Sequence, residues 1–509
     1  MRSGKMFKAG LAATISTIPL SVQAEPVELR HESGLVTISG EILSFDGTTL
    51  MVATSAGDVS VPAAEVTCAG NDCPEGVKLS AIEEAVSIAV MSPENLSLAQ
   101  SYLTTTTATS SRSARAGDTV VRNETQDQIA KVSFVPSAQS DQGDIIITNV
   151  ISDAAAANRT GTIAEWTLGS TPTQLLAIKA LSVVTSPEIG VDHISMPELA
   201  QVLAGEITNW SQLGGNDLNI IPIQAAAGTR LHADVQATVL DPARKPASPM
   251  VFSMADASAI MTGLSTLPGG MSIVPTEMVG ATNTLDIVDS CGVTHAATDF
   301  EIRAGDYPLT VPTLAVHNTP LETQVMHAAF DKAASVGIPD MFEEADFSPH
   351  TLMQLPTDDN DWRVANIMSQ QLDADQKQSA IKLIQLLANA QQLSAAFTDG
   401  ELTQTEGAWT RAHFVRLRDA IQSGVLDDKE IHFVGFHAQN IGADAVLSTQ
   451  TAAENILAAF QAFAPDAANR PNVTLAASGY GHLGATGCLP NGATTARDTR
   501  IEIWTRPAG

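Results

Sequence analysis

The loop Ala225-Ala226-Ala227-Gly228-Thr229 is the part of this chain best suited to chemistry. It follows the expected strand Asn219-Ile220-Ile221-Pro222-Ile223 and opens a helix expected to reach about Leu240. Small residues ahead of a helix leave its first backbone N–H groups uncovered, and such a terminus binds anions through hydrogen bonds and the helix dipole. The chemistry expected here is recognition of an anion rather than bond making. The sequence holds no G-x-S-x-G elbow, no H-E-x-x-H, no P-loop and no carboxylate pair in a recognisable setting, so no catalytic residue and no cofactor are expected. His432 and His437 lie an odd number of residues apart on an expected strand and face opposite sides, which argues against a shared metal.

The elements that must hold this loop follow from local signals. Leu181 to Thr185 reads as a buried strand, and Ser195-Met196-Pro197-Glu198 as a capping box with proline in the first helical turn. Leu199, Val202 and Leu203 supply that helix's apolar stripe, Gly205 ends it, and Gly214-Gly215 turns the chain into the next strand. Further strands are expected at VSIAVMS, DIIITNV, KALSVVT, GMSIV and TLAVH, with helices between several of them and an exposed polar loop at Thr104 to Gly117. Strands alternating with helices argue for an α/β region with mainly parallel sheets over residues 85–336.

The flanks read differently. Residues 25–80 alternate in short strands broken by Asp46-Gly47 and Ala56-Gly57-Asp58, a small all-β module. Residues 337–390 are helical and acidic; Asp358, Asp359 and Asp361 have part of the spacing of a calcium loop but lack its glycine and closing glutamate, so a solvated linker is expected. Residues 391–509 have a strand–helix–strand pattern of their own: EIHFVGF, a helix from Leu447 to Phe463 with Ala452, Ile456, Phe460 and Phe463 on one face, VTLAASGYG, and the closing strand RIEIW.

Residues 1–24 have the form of a secretory signal: Arg2, Lys5 and Lys8, an apolar stretch from Ala9 to Leu20, and a small-residue cleavage site at Val22-Gln23-Ala24. That stretch is too short to span a bilayer, and no later segment is long and apolar enough to cross as a helix. With 27 Lys and Arg against 56 Asp and Glu, the net charge of −29 repels nucleic acid and anionic lipid, and it repels anionic solutes at long range as well. In an exported chain the four cysteines point to disulfides: Cys68 with Cys73 across the Gly70-Asn71 turn, leaving Cys291 and Cys488 as a pair by elimination or as two buried thiols. No histidine or second cysteine pair stands at zinc-ligand spacing.

The stretch Pro187-Glu188, Leu199, Gly205, Ile207-Thr208-Asn209-Trp210 and Gly214-Gly215 resembles the phosphate-type periplasmic substrate-binding family. Asp144-Ile145-Ile146-Ile147-Thr148 is similar to that family's early strand, and Gly305-Asp306-Tyr307-Pro308-Leu309-Thr310 to its late one. The resemblance implies a two-lobed type II periplasmic-binding-protein fold, a small oxyanion such as phosphate as ligand, and Ser92, Ser140, Thr148, Asn149, Gly228, Thr229 and Arg230 as its candidate contacts. The chain departs from the family pattern at Ala227, where a serine is usual, in the loop Ser137 to Ser140, which lacks the family's glycines, and at Val311, where relatives often carry arginine.

Gly435-Phe436, Leu447-Ser448, Gly479-Tyr480-Gly481 and the final Arg500-Ile501-Glu502-Ile503-Trp504 together resemble the OmpA-like, peptidoglycan-associating domain, an α+β fold. The resemblance implies a clamp on the diaminopimelate of the cell wall from one anionic and one cationic side chain. The matching positions here hold Ala438 and Thr451, so peptidoglycan ranks below the solute as an expected partner; Arg497 and Arg500, beside the closing strand, are expected to be solvated. Two functions follow: a non-catalytic solute-binding protein of the periplasm associated with the outer membrane or cell wall, or an envelope protein that keeps both folds without either ligand.

Overall fold

In this computed structural model the described residues are 27–31, 37–69, 73–74, 77–79, 84–90, 109–115, 118–123, 128–135, 144–149, 161–167, 173–288, 293–317, 352–355, 361–437, 443–484 and 499–508. The chain divides into two compact units, one of Met1–Ile82 with Ser113–Thr119, the other of the remaining residues through Gly509. The first unit carries β1 (Val27–His31), β2 (Thr37–Phe45), β3 (Thr49–Thr54), β4 (Gly57–Pro62), β5 (Val66–Ala69) and β6 (Lys78–Leu79), ordered β4-β3-β2-β1-β5-β6 in one sheet. The expected turn at Asp46-Gly47 is held by the Asp46 carboxylate, which accepts from the Thr48 and Thr49 N–H groups at 2.9 and 2.7 Å. Alternation buries Val27, Leu29, Leu50 and Val52 on one face, and the Cys68–Cys73 disulfide is present. Cys291 and Cys488 lie outside the described residues, as does the signal segment.

The second unit begins with β7 (Glu84–Val90); β8 (Thr109–Arg115) and β9 (Asp118–Asn123) fall partly in each unit, and β10 (Gln128–Val135) and β11 (Ile145–Thr148) follow. Thr109–Arg115 is thus a strand inside the stretch expected to be a loop. After α1 (Ile163–Thr167) comes β12 (Thr173–Thr185), then β13 (His193–Ser195), α2 (Met196–Leu203), β14 (Ile221–Ala225), α3 (Arg230–Val235), β15 (Phe252–Met254), α4 (Ala257–Leu264), β16 (Gly270–Pro275), β17 (Asn283–Val288), β18 (Thr294–His295), α5 (Asp299–Ala304) and β19 (Thr310–His317). The thirteen described strands form one sheet along the path β15-β14-β16-β12-β19-β11-β7-β10-β9-β8, with β17, β13 and β18 branching from β12.

This sheet is mixed, which corrects the mainly parallel expectation. Its N-terminal strands β7, β10 and β11 pair parallel, as do β14 and β16, but β12 pairs antiparallel with β16, β17 and β19. The reason lies in β12 itself: thirteen residues, apolar on both faces and buried at twelve positions, long enough to pair with β19 over its first half and with β16 and β17 over its second. The expected capping box is present, Ser195 and Glu198 satisfying each other's backbone N–H.

The C-terminal sheet, ordered β20-β23-β21-β22, comprises β20 (Gln391–Thr398), β21 (Lys429–His437), β22 (Val473–Gly479) and β23 (Thr499–Pro507). Four helices pack on it: α6 (Asp361–Ser369), α7 (Ala374–Leu387), α8 (Gln404–Gln422) and α9 (Ala443–Phe463). Period-two alternation sends Ile431, Phe433, Ile501 and Ile503 to one face with Phe414, Leu417, Ile456 and Phe460, and Val434, Phe436 and Trp504 to the other with Ile367, Leu383, Leu386 and Leu387. The 337–390 segment, expected as a solvated linker, is therefore corrected over its described helices: α6 and α7 bury an apolar stripe against the second face of this sheet. No helix among the described residues is long and apolar enough to cross a membrane.

Candidate solute cavity

The loop expected to grip an oxyanion has the expected backbone. Strand β14 ends at Ala225, Gly228 takes φ +88°, a left-handed conformation that disfavours any side chain, and Thr229 caps α3. Its side chains, however, are turned inward to the chain. The Thr229 hydroxyl donates to the Ala226 carbonyl at 2.7 Å and accepts from the His232 N–H at 3.3 Å. The Arg230 Nε donates to Asp234 Oδ1 at 2.6 Å, one helical turn on, where the carboxylate is buried.

Thr148 ends β11 and is buried; Asn149 follows it and donates its side-chain N–H to Thr313 Oγ1 at 2.7 Å and to the Pro312 carbonyl at 3.3 Å. These bonds fix the end of β11 to β19. Ser92 and Ser140 lie outside the described residues.

A cavity of about 340 Å³ opens beside these residues, lined by Asn149 at the end of β11, Asp234 and Thr238 along the helix that Thr229 starts, Val311 and Leu314 of β19, and Thr403, Gln404 and Thr405 at the start of α8. Of the predicted contacts, Asn149 lines this cavity and Arg230 reaches it through Asp234; Thr148, Gly228 and Thr229 are not among its lining residues. Such a wall, two amides, three hydroxyls and one buried carboxylate on an apolar floor, can orient a small polar solute.

Sequence reasoning missed Asp234, Thr238 and the whole contribution of α8. The arginine–aspartate spacing of Arg230 and Asp234 was a readable helical pair. Thr403-Gln404-Thr405-Glu406 is a readable capping box: Glu406 Oε2 accepts from the Thr403 N–H at 2.8 Å, and the Thr403 hydroxyl from the Glu406 N–H at 3.3 Å. That this cap faces the α/β sheet, where Gln404 meets Thr173 from 231 residues away in sequence, had no local signal.

The sequence blocks that carried the family resemblance hold the fold rather than a ligand. Trp210 is fully buried and donates its Nε1–H to the Gly269 carbonyl at 3.1 Å, and Asn209 caps the short 3-10 turn Trp210–Leu213. Tyr307 is buried and donates its hydroxyl to the Leu181 carbonyl at 2.8 Å; burial holds that phenol well above its ordinary range.

In the C-terminal sheet Ala438 and Arg497 lie outside the described residues, and Thr451 is exposed on α9, its hydroxyl donating to the Leu447 carbonyl at 3.0 Å. Arg500 corrects its expectation. Strand β23 runs between β20 and β21, and the guanidinium is not merely solvated: it binds both oxygens of Asp306 at 2.5 and 2.7 Å and Glu502 Oε1 at 3.0 Å. His432 pairs with Glu430 at 2.5 Å, and its burial pushes the imidazole below its ordinary range against the pull of that carboxylate. Among the described residues no group of three or more His, Cys, Asp or Glu could hold a metal ion.

Residues 95–332 match the family model of the PBP superfamily domain. Over 57 residues the chain is 42% identical to the phosphate-binding protein PstS of Borreliella burgdorferi, a stretch covering 11% of this chain and 20% of that protein, so the chain spans about a fifth of the curated relative it matches. Among solved structures it is similar to PstS from Borrelia burgdorferi, at 18% identity and a TM-score of 0.41 over 52% of this chain and 99% of that one. It is similar also to an ABC-type phosphate transport receptor from Vibrio cholerae, at 16% identity and a TM-score of 0.38 over 52% and 98% of the two chains.

Proposed function

We propose that this chain, which carries a PBP superfamily domain over residues 95–332, is an exported, non-catalytic solute-binding protein of the cell envelope. Its two lobes meet along β12 and β19, its solute is a small oxyanion such as phosphate, and an OmpA-like C-terminal domain associates it with the outer membrane or cell wall. The observation that carries the reading is the cavity that Asn149, Asp234 and Thr238 line together with Val311 and Leu314 of β19. Phosphate comes from the relatives' names. Titration calorimetry of the full chain with phosphate and with sulfate tests it. Saturable heat, lost when Ala237→Trp fills the cavity, which Ala237 also lines, supports the reading; no heat with either anion removes the oxyanion from it.

A second reading, an envelope protein that binds neither phosphate nor diaminopimelate, is favoured by one set of contacts. Thr229 and Arg230, two of the side chains the resemblance would direct at a ligand, are each bonded within the chain, and so is Arg500. This reading expects silence in the calorimeter and no sedimentation of the full chain with isolated peptidoglycan.

A further inference from the structure

Helix α8 is the unusual element of the second unit. It is buried nearly all round although its composition is polar, with Arg411, His413 and Arg416 among its buried residues. Phe414, Leu417 and Ile421 enter the core of the C-terminal sheet, while Ala408 and Ala412 enter the core of the α/β sheet. The exchange runs the other way at α1, whose Ile163 and Trp166 lie in the C-terminal core.

The backbones touch at this junction. A β-carbon on Gly407 would stand 1.9 Å from the Trp166 ring, so the helix and the indole meet where only glycine fits. Gly161 and Leu402 exchange two backbone hydrogen bonds, at 3.0 and 2.8 Å, and Thr173, the first residue of β12, donates its hydroxyl to Gln404 Oε1 at 3.1 Å.

A second junction lies at the other end of α8, where Arg416 donates to the Arg303 carbonyl at 3.2 Å. Beside it runs a chain of alternating charges: Asp306 with Arg500, Arg500 with Glu502, and Glu502 with both Nη atoms of Arg363 at 2.9 and 2.8 Å. Asp306 belongs to the short segment leading into β19. The C-terminal sheet is thus fastened at the start of β12 and just before β19, the two strands that join the halves of the α/β sheet.

We propose that the C-terminal domain is a built-in wall of the solute cavity: α8 presents Thr403 and Thr405 to the solute, and the two junctions hold it across the strands on which the lobes would otherwise turn. The solute contact rests on the solute-binding reading; the fastening does not. A fastened wall makes the two regions open as one cooperative body, whereas a tethered domain would unfold alone.

Hydrogen exchange of the full chain, read by mass spectrometry, tests this with Phe433→Leu, a change deep in the C-terminal core. The slowest amides of β21 and of the distant β16 should both exchange faster, by about tenfold. In an Asp306→Asn/Arg500→Gln background the acceleration should withdraw to the C-terminal strands. Acceleration confined to residues 391–507 in the otherwise unchanged chain overturns the proposal. Phosphate titration separates the two readings. If the unchanged chain binds phosphate and Ala237→Trp abolishes binding while Thr405→Trp does not, the wall is wrong and the solute-binding reading stands. If the unchanged chain binds no phosphate, the oxyanion and the solute contact fall together, and the exchange result decides the fastening.

Discussion

Glu502 carries its charge at zero exposure between two guanidinium groups, with the Trp504 Nε1–H donating to it at 3.2 Å. Burial alone would raise its carboxyl; Arg363 and then Arg500 overcome that and hold it at about 2, against 4.5 for an unperturbed glutamate. Arg363 is itself packed over the Phe436 and Trp504 rings, at 5.1 and 5.3 Å from their centroids. Removing Glu502 leaves Arg363 charged and dry, so Glu502→Gln should cost about 3 kcal/mol in urea denaturation at neutral pH. A carboxyl whose folded pKa is depressed contributes its full stability above the unfolded value, and loses it as pH falls through the folded one. Melting temperature measured from pH 6 downward should therefore fall from near 4.5 toward 2 in the native chain, and the Glu502→Gln curve should be flatter over that window. Parallel curves would mean that Glu502 is not held low.

At the scale of elements, α8 makes a prediction whose sign is set by packing against propensity. Replacing a glycine within a helix by alanine ordinarily stabilises it by up to about 1 kcal/mol. At Gly407 the added carbon would meet the Trp166 ring, and overpacking of this kind costs about 1–3 kcal/mol. Gly407→Ala should therefore lower stability in chemical denaturation, and Trp166→Leu should recover part of the loss; a gain from Gly407→Ala alone would place the indole elsewhere. The same helix shows where sequence patterns stop being readable. The Ser195 capping box and the Asp46-Gly47 turn were legible because the groups that satisfy each backbone N–H lie within three residues. The segment that forms α7 was readable as helical and acidic, but whether it met a sheet or water depended on Val434 and Trp504, far along the chain. Arg500 was misread for the same reason. Its partner Asp306 lies in a different sheet's connection, and no spacing rule reaches that distance. The candidate site divides along this line: Asn149 was a candidate through the resemblance of its strand to a family strand, whereas Thr403 and Thr405 came to the cavity by tertiary packing alone.

For the whole molecule, the charge of −29 limits how an anion could arrive. A chain this acidic surrounds itself with a potential that lowers the local concentration of phosphate, the reverse of electrostatic steering. Any affinity for an oxyanion must then come from short-range donors, such as backbone N–H groups and the Asn149 amide, that act only after the solute has crossed the field. Salt screens the field over a Debye length of about 10 Å at 0.1 M, and leaves hydrogen bonds inside a cavity largely untouched. If phosphate is the solute, its association rate in stopped-flow measurements should rise between 20 and 300 mM sodium chloride by a factor of about 2–5, while the dissociation rate changes little. An association rate that falls with salt would require a cationic path to the site. The described lining of the cavity, with Asp234 as its one charged side chain, does not supply that path. A rate indifferent to salt would instead point to a solute that carries no net charge, which the amides and hydroxyls of Asn149, Thr238 and Thr405 could hold as readily as an anion.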